Sequence, residues 1–296
     1  YGLFLNISND HIGPGEHESF EEYLYYKTRL LNMCGIGLVN KDDKHAPQII
    51  KAANCELYTY SEESKEADFV ASDIRYVSQP DFVGTEFHIS GKYDMEVRLG
   101  IPGLFNVVNA LAAVSVCSFL GLDQARISHA LENIRVNGRM EIVYTSERCT
   151  VLVDYAHNAV SMESLLSTLR DYKPKRLVCV FGCGGNRSKD RRYSMGEIGG
   201  KMADLSIITA DNSRYEKVED IIADIRGSIE KTGGKFIEIP DRREAIRYSI
   251  LHAQPGDMVA VIGKGHEDYQ EINGVRHHFL DREVIEETVK ELGEKA

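Results

Sequence analysis

The spacing of apolar positions divides the chain near residue 140. Before that point, residues 3–8 read as a strand, followed by the glycine- and proline-bearing loop NDHIGPGEHES. Over residues 18–33, Phe20, Tyr23, Leu24, Leu30 and Leu31 recur on one face of a predicted helix. Residues 56–99 are β-rich; FVGTEFHIS and YDMEVRL alternate and are joined by Gly-Lys, which predicts a hairpin. Residues 106–120 form an apolar helical stretch ended by Gly121, and DQARISHALENI predicts a shorter helix. After residue 140 come five short apolar runs: TVLVDY, RLVCVF, DLSIIT, KFIEIP and MVAVIG. Helical stretches lie between them (SMESLLSTLRDY, RRYSMGEIGGKMA, VEDIIADIRGSIEKT, DRREAIRYSILHA), and DREVIEETVKELGE closes the chain.

Strand alternating with helix predicts an α/β fold: a doubly wound, mostly parallel sheet with helices on both faces. Ligands on such sheets bind beyond the carboxyl ends of the strands. Four of the loops there are chemically unusual. VDYAHNAVS places Asp154, His157 and Asn158 after one strand, and ITADNSRYE gathers Asp211, Asn212, Arg214 and Glu216 after another. VIGKGHEDY sets Lys264, His266 and Glu267 among glycines, and FGCGGNRSKDRR packs three glycines and four cations into residues 181–192. Singly, each has an ordinary explanation as an N-cap, a turn or a solvated helix start. The cations of RSKDRR oppose the dipole of the helix they open, so they call for an anion. Together the loops fit a ligand with both carboxylate and ammonium groups. Arg187 and Arg214 suit carboxylates, Glu267 suits an ammonium, and N–H groups around Gly182, Gly184 and Gly185 suit an anion nest. A lone phosphate would not need Glu267.

Composition narrows the partners. Asp plus Glu outnumber Lys plus Arg by 46 to 35, a net charge of −11, which disfavours general nucleic-acid binding. No apolar run has the length of a membrane span. The six cysteines form no CxxC pair and no zinc-binding spacing, so reduced thiols are expected.

DYAHN at 154–158, FGCGGNR at 181–187, DNSR at 211–214 and GKGHE at 263–267, with NDHIGPGEHESFEEYLYYK, FNVVNALAA and NGRME upstream, resemble the Mur ligases motif by motif and in order. The resemblance spans essentially the whole chain. It implies residues 1–136 as the C-terminal part of an α/β central ATPase domain and residues 137–296 as a Rossmann-like amino-acid-binding domain. The family's GTNGKT-type phosphate loop is missing from this sequence. The chain is therefore expected to begin partway through the central domain, after the UDP-sugar domain, and not to run the reaction alone.

That reaction, by resemblance, is cytoplasmic amide ligation for peptidoglycan synthesis by a monomeric full-length enzyme with ATP and Mg²⁺. A carboxylate of UDP-muramoyl-L-alanyl-D-glutamate is phosphorylated, and the amine of an incoming amino acid attacks the acyl phosphate. Carried over by position, His11 and Lys27 are the catalytic and metal residues, Lys27 once carbamylated. Asn109, Arg139, Asp154 and His157 hold ATP, and Arg187, Asp211, Asn212, Arg214, Gly263 and Glu267 hold the amino acid. In the family, DNPR marks enzymes that add meso-diaminopimelate, its arginine gripping the distal carboxylate. Here Arg214 is kept while Ser213 replaces proline. Alternatives are a relative that adds L-lysine or uses another acceptor, and a chain that only binds an amino acid.

Overall fold

The structure, a computed structural model, describes residues 1–9, 12, 13 and 15–293. They divide into two compact units: Tyr1–Arg75, Thr85–Gly100 and Leu104–Ile134 in the first, and Tyr76–Gly84, Ile101–Gly103 and Arg135–Ala296 in the second.

The first sheet has the order β1 (Gly2–Phe4), β2 (Ile36–Asn40), β3 (Glu56–Ser61), β4 (Phe69–Gln79), β5 (Phe82–Gly91), β6 (Met95–Leu99). The strand expected over 3–8 stops at Phe4. Beyond it the backbone leaves the ladder, and the Ile7 N–H donates to Asp43 Oδ2 at 2.9 Å. The expected hairpin is β5 antiparallel to β6. The helix expected over 18–33 is α1 (Phe20–Thr28), continued by a 3₁₀ turn, Arg29–Asn32. It starts where Ser19 accepts from the Glu22 N–H at 3.2 Å. No element was expected over residues 36–52, where β2 and α2 (Ala46–Ala52) form. Helices α3 (Leu104–Phe119) and α4 (Gln124–Glu132) follow the sheet. Val107, Leu111 and Leu131 pack on Phe87, Val97 and Leu99, while Tyr23, Leu24 and Ile49 pack with Val39.

The second sheet is built from β7 (Glu141–Thr145), β8 (Cys149–Asp154), β9 (Arg176–Phe181), β10 (Leu205–Ile208), β11 (Phe236–Glu238) and β12 (Asp257–Ile262), in the order β11-β10-β9-β12-β8-β7. The five strands from β8 to β12 are the five apolar runs, and all their pairings are parallel. Only β7, which no periodicity marked, runs antiparallel to its neighbour. The connecting helices are α5 (Ala159–Asp171), α6 (Asp190–Met202), α7 (Val218–Thr232) and α8 (Arg242–Leu251). The hairpin of β13 (Tyr269–Ile272) and β14 (Val275–His278) then precedes α9 (Asp281–Glu291).

A strand buried on both faces reads as an unbroken apolar run. Thus Cys179, Phe181, Ala260 and Ile262 face Leu166, Leu169, Ile221 and Ile225 on one side. Their neighbours Val178, Val180, Val259 and Val261 face Ile246, Ile250, Val284 and Ile285 on the other. Each such side chain contributes roughly 1.5–3 kcal/mol by leaving water. This double-sided core fixes the carboxyl ends of β8, β12, β9 and β10 side by side. Because β12 inserts between β8 and β9, those four ends bracket a crevice.

Candidate active-site cleft in the second unit

The four loops that leave those strand ends surround a cleft of about 420 Å³. Its lining includes His157, Arg187, Asp211, Asn212, Arg214, Gly263 and Glu267, seven of the residues singled out in the sequence. The glycine-rich loop after β9 lies flat on the loop after β10. The Gly185 N–H donates to Asn212 O at 2.9 Å, and a Cβ at Gly185 would sit 1.9 Å from Ser213 O. Only glycine permits that approach. The same bond takes the Gly185 N–H out of the expected anion nest, since it is already spent on protein.

At the centre is Asn212. Its Oδ1 accepts from Lys264 Nζ at 3.2 Å and from the Glu271 N–H at 2.9 Å, and its Nδ2 donates to Glu267 Oε2 at 3.0 Å. Lys264 Nζ also lies 3.3 Å from Glu267 Oε2 and 3.9 Å from Asp211 Oδ1. Arg214 has φ of 51° and is held there by its own backbone: its N–H donates to Glu271 O at 3.0 Å, and its carbonyl accepts from Asn273 N at 2.6 Å. Its Nη1 donates to Gly185 O at 2.7 Å, and its Nε lies 3.6 Å from Glu271 Oε2. Its Nη2 forms no hydrogen bond among the described residues. Arg187 is exposed at the cleft wall.

Asp154 ends β8 and is buried. Its oxygens accept from the N–H groups of Met140 and Ala156 at 2.8 and 2.7 Å, so it fastens the chain on either side of β8. Burial pushes its carboxyl up from the ordinary range, against those hydrogen bonds and Arg139. His157 Nδ1 lies 2.9 Å from Tyr155 O; a carbonyl only accepts, so Nδ1 carries the proton and Nε2 is the outward nitrogen. The Arg139 guanidinium stacks 4.8 Å from the centre of the Tyr155 ring. Cys183 also lines the cleft, but burial pushes its thiol up to about 12, so it is no nucleophile at neutral pH.

The cations of RSKDRR do not all await a ligand, which corrects the sequence expectation. Arg192 is 1% exposed and makes two bonds to Glu216, at 2.7 and 2.8 Å, and one to Asp224 at 2.9 Å. Lys189 joins Asp224 at 3.0 Å. Glu216, read as part of the site, serves this internal network; its bond to Arg192 holds its carboxyl below the usual range.

Lys27 and Asn109 belong to the first unit. Lys27 is exposed on α1, with its ammonium 5.2 Å from the centre of the Tyr23 ring. Asn109 is exposed on α3, 3.5 Å from Asn106 Oδ1. His11 lies outside the described residues. Among the described residues no group of three or more His, Cys, Asp or Glu is arranged to hold a metal. Asp211 and Glu267 share the Lys264 ammonium, which leaves one net negative charge there, enough for a monovalent cation but poorly matched to divalent Mg²⁺. Lys27, as an ammonium, does not fit Mg²⁺ either. Of the RSKDRR cations, Arg187 and Arg191 line the cleft, whereas Tyr155 and Tyr269 line it without having been singled out. Tyr155 lies inside the quoted DYAHN, whereas Tyr269 lies on a hairpin with no apolar pattern.

Residues 1–117 match the family model described as the Mur ligase middle domain, and residues 138–265 match the Mur ligase, glutamate ligase domain. The chain is 40% identical over 287 residues to UDP-N-acetylmuramoyl-L-alanyl-D-glutamate--2,6-diaminopimelate ligase 2 of Clostridium acetobutylicum, covering 97% of this chain and 58% of that one. It is 38% identical over 288 residues to the 2,6-diaminopimelate ligase of the same description from Aquifex aeolicus, covering 96% and 58%. A solved structure titled as a UDP-N-acetylmuramoyl-L-alanyl-D-glutamate--2,6-diaminopimelate ligase superposes with a TM-score of 0.78 at 34% identity, over 99% of this chain and 60% of that one. The chain thus spans about three fifths of the length of these relatives.

Proposed function

The chain belongs to the Mur ligase family, with a middle and a C-terminal domain, and from that membership we propose that it is part of an ATP-dependent ligase that joins meso-diaminopimelate to UDP-N-acetylmuramoyl-L-alanyl-D-glutamate. The observation that carries the reading is the charge content of the cleft: Arg187 and Arg214, both beside Gly184, line it together with Glu267. In this reading Arg214 takes the distal carboxylate of diaminopimelate through its free Nη2 edge, and Arg187 takes the other. Glu267 Oε1, which is not bonded to Lys264, accepts from an ammonium. Asp211, Asn212 and Gly263 complete the floor. L-lysine lacks the distal carboxylate, so with it the Nη2 edge of Arg214 would gain no charged partner.

The chemistry that follows is amide formation in the cytoplasm. The γ-phosphoryl group of ATP passes to the acceptor carboxylate. The neutral amine of the amino acid then attacks that carbonyl carbon; the C–N bond forms, the C–O bond to phosphate breaks, and the amine loses a proton. The residues assigned here to ATP are Arg139 and His157, with Asp154 holding their loops and Asn109 from α3. Mg²⁺ would neutralise phosphate charge, with His11 and a carbamylated Lys27 as its assigned holders; carbamylation turns that cation into an anion. The 296-residue chain by itself is assigned amino-acid binding without turnover, since its sequence contains no phosphate loop.

Phosphate release by the full-length protein, given UDP-N-acetylmuramoyl-L-alanyl-D-glutamate and a panel of amino acids, tests this. Meso-diaminopimelate should support turnover, and Arg214→Ala should raise its KM by roughly 30–150-fold, the loss of about 2–3 kcal/mol from a charged hydrogen-bonded pair. Turnover with L-lysine at equal kcat/KM would refute the assignment.

A further inference from the structure

Lys264 is 0% exposed, which is rare for a lysine unless its charge is matched. Everything around its ammonium belongs to the cleft wall. Asn212 Oδ1 and Glu267 Oε2 accept from it at 3.2 and 3.3 Å, Asp211 Oδ1 lies at 3.9 Å, and the centre of the Tyr269 ring at 5.3 Å. All four of those residues line the cleft, and Lys264 does not. Two of its three donors are spent on Asn212 and Glu267, and Asp211 Oδ1 stands 3.9 Å away, so the ammonium is held within the wall.

The consequence for Asn212 is geometric. A side-chain amide can turn either way, but here one end faces two groups that only donate, the Lys264 ammonium and the Glu271 N–H. That end must be the oxygen. Nδ2 is then aimed at Glu267 Oε2, which it shares with Lys264. One oxygen of Glu267 is thereby tied down by two donors, and Oε1 is left to the cleft, 3.5 Å from the Tyr155 hydroxyl.

We propose that Lys264 is the positioning residue of this cleft, setting the orientation of the Asn212 amide and keeping Glu267 as an aimed, charged acceptor for the ammonium of an amino-acid substrate. The inference rests on the amino-acid reading above for its ligand, but not for its geometry. It explains why a cation is buried in a site built to receive another: it balances Asp211 and Glu267, and the incoming ammonium meets only Oε1.

Two variants separate the charge from the hydrogen bonds. Lys264→Met removes both; Lys264→Gln keeps a donor for Asn212 Oδ1 without the charge. First, the Asn212 side-chain NH₂ resonances are followed by ¹⁵N NMR in the 296-residue chain without any ligand. They should move in Lys264→Met, where the donor that fixes Oδ1 is lost, and move less in Lys264→Gln, where a donor is kept. Second, the full-length enzyme is assayed. Lys264→Met should raise the KM for the amino acid by at least about 30-fold, Lys264→Gln by less, with the KM for ATP within about threefold. Asn212 resonances unmoved in Lys264→Met, or equal increases in both KM values, overturn the proposal. A wild-type enzyme that takes no amino acid would refute the functional reading, while the Asn212 resonances would still decide whether Lys264 sets that amide.

Discussion

The pairing of Arg242 with Asp281 holds two loops of the cleft from behind, and its removal has a calculable cost. Both side chains are 0% exposed. Arg242 Nε and Nη2 donate to the two Asp281 oxygens at 2.7 and 2.6 Å. The same guanidinium donates to Ala210 O at 3.2 Å and Ile262 O at 3.0 Å, the residues just before Asp211 and Gly263. Arg242→Met leaves Asp281 buried without its cation, which costs about 3–5 kcal/mol, and leaves two carbonyls short of a donor. Arg242→Met/Asp281→Leu removes both charges; only the carbonyls then suffer, at about 1–3 kcal/mol. The two units need not unfold together, so a single global transition is the wrong readout. Native-state hydrogen exchange of the amides of β10 and β12 is the better assay. Protection there should fall by two to three and a half powers of ten in the single variant, on the scale of about 1.4 kcal/mol per decade, and recover at least tenfold in the double one. A single variant within about threefold of wild type, or a double variant no better than the single, would refute the reasoning.

Two further perturbations probe other parts of the fold. Glu62 has a buried Oε2 without a hydrogen-bond partner, and burial, with Asp42 and Glu63 nearby, pushes its carboxyl up to about 7. The folded state therefore holds a proton that the unfolded chain releases at lower pH, so stability of the first unit should fall as pH rises from about 4.5 to about 7. Glu62→Gln should flatten that slope and stabilise by about 1 kcal/mol above pH 7, a figure reduced for its partial exposure; thermal melts at pH 5 and pH 8 measure both. Gly185→Ala must displace the Ser213 carbonyl, since its Cβ would lie 1.9 Å away. It should weaken meso-diaminopimelate binding by tenfold or more, read by calorimetry, and shift the backbone amide resonances of residues 212–214.

What the sequence disclosed and what it hid follow from different forces. The strands β8, β9, β10 and β12 were legible because burial on both faces leaves a largely apolar run, and their loops were legible because polar residues crowd directly after it. Hairpin β13–β14 was not, since residues 275–278 are exposed and carry no alternating face. Yet its backbone fixes Arg214 and Asn212, contacts made through N–H and C=O groups that any side chain would carry. Arg192 was read with its neighbours as an anion site because burial of a charge depends on partners far along the chain. Those partners, Glu216 and Asp224, arrive 24 and 32 residues later. Lys264 stood out in GKGHE, but only the fold reveals that its ammonium points into the wall rather than the cleft.

The central claim is that the cleft between Arg214 and Glu267 takes an amino acid with a second carboxylate. Titration of meso-diaminopimelate and of L-lysine into the 296-residue chain, followed by NMR, tests it directly. The account predicts saturable shifts at residues 182–187, 211–214 and 263–267 with meso-diaminopimelate, lost in Arg214→Ala and at least tenfold weaker with L-lysine. Equal shifts with both amino acids, or shifts that survive Arg214→Ala unchanged, would contradict it.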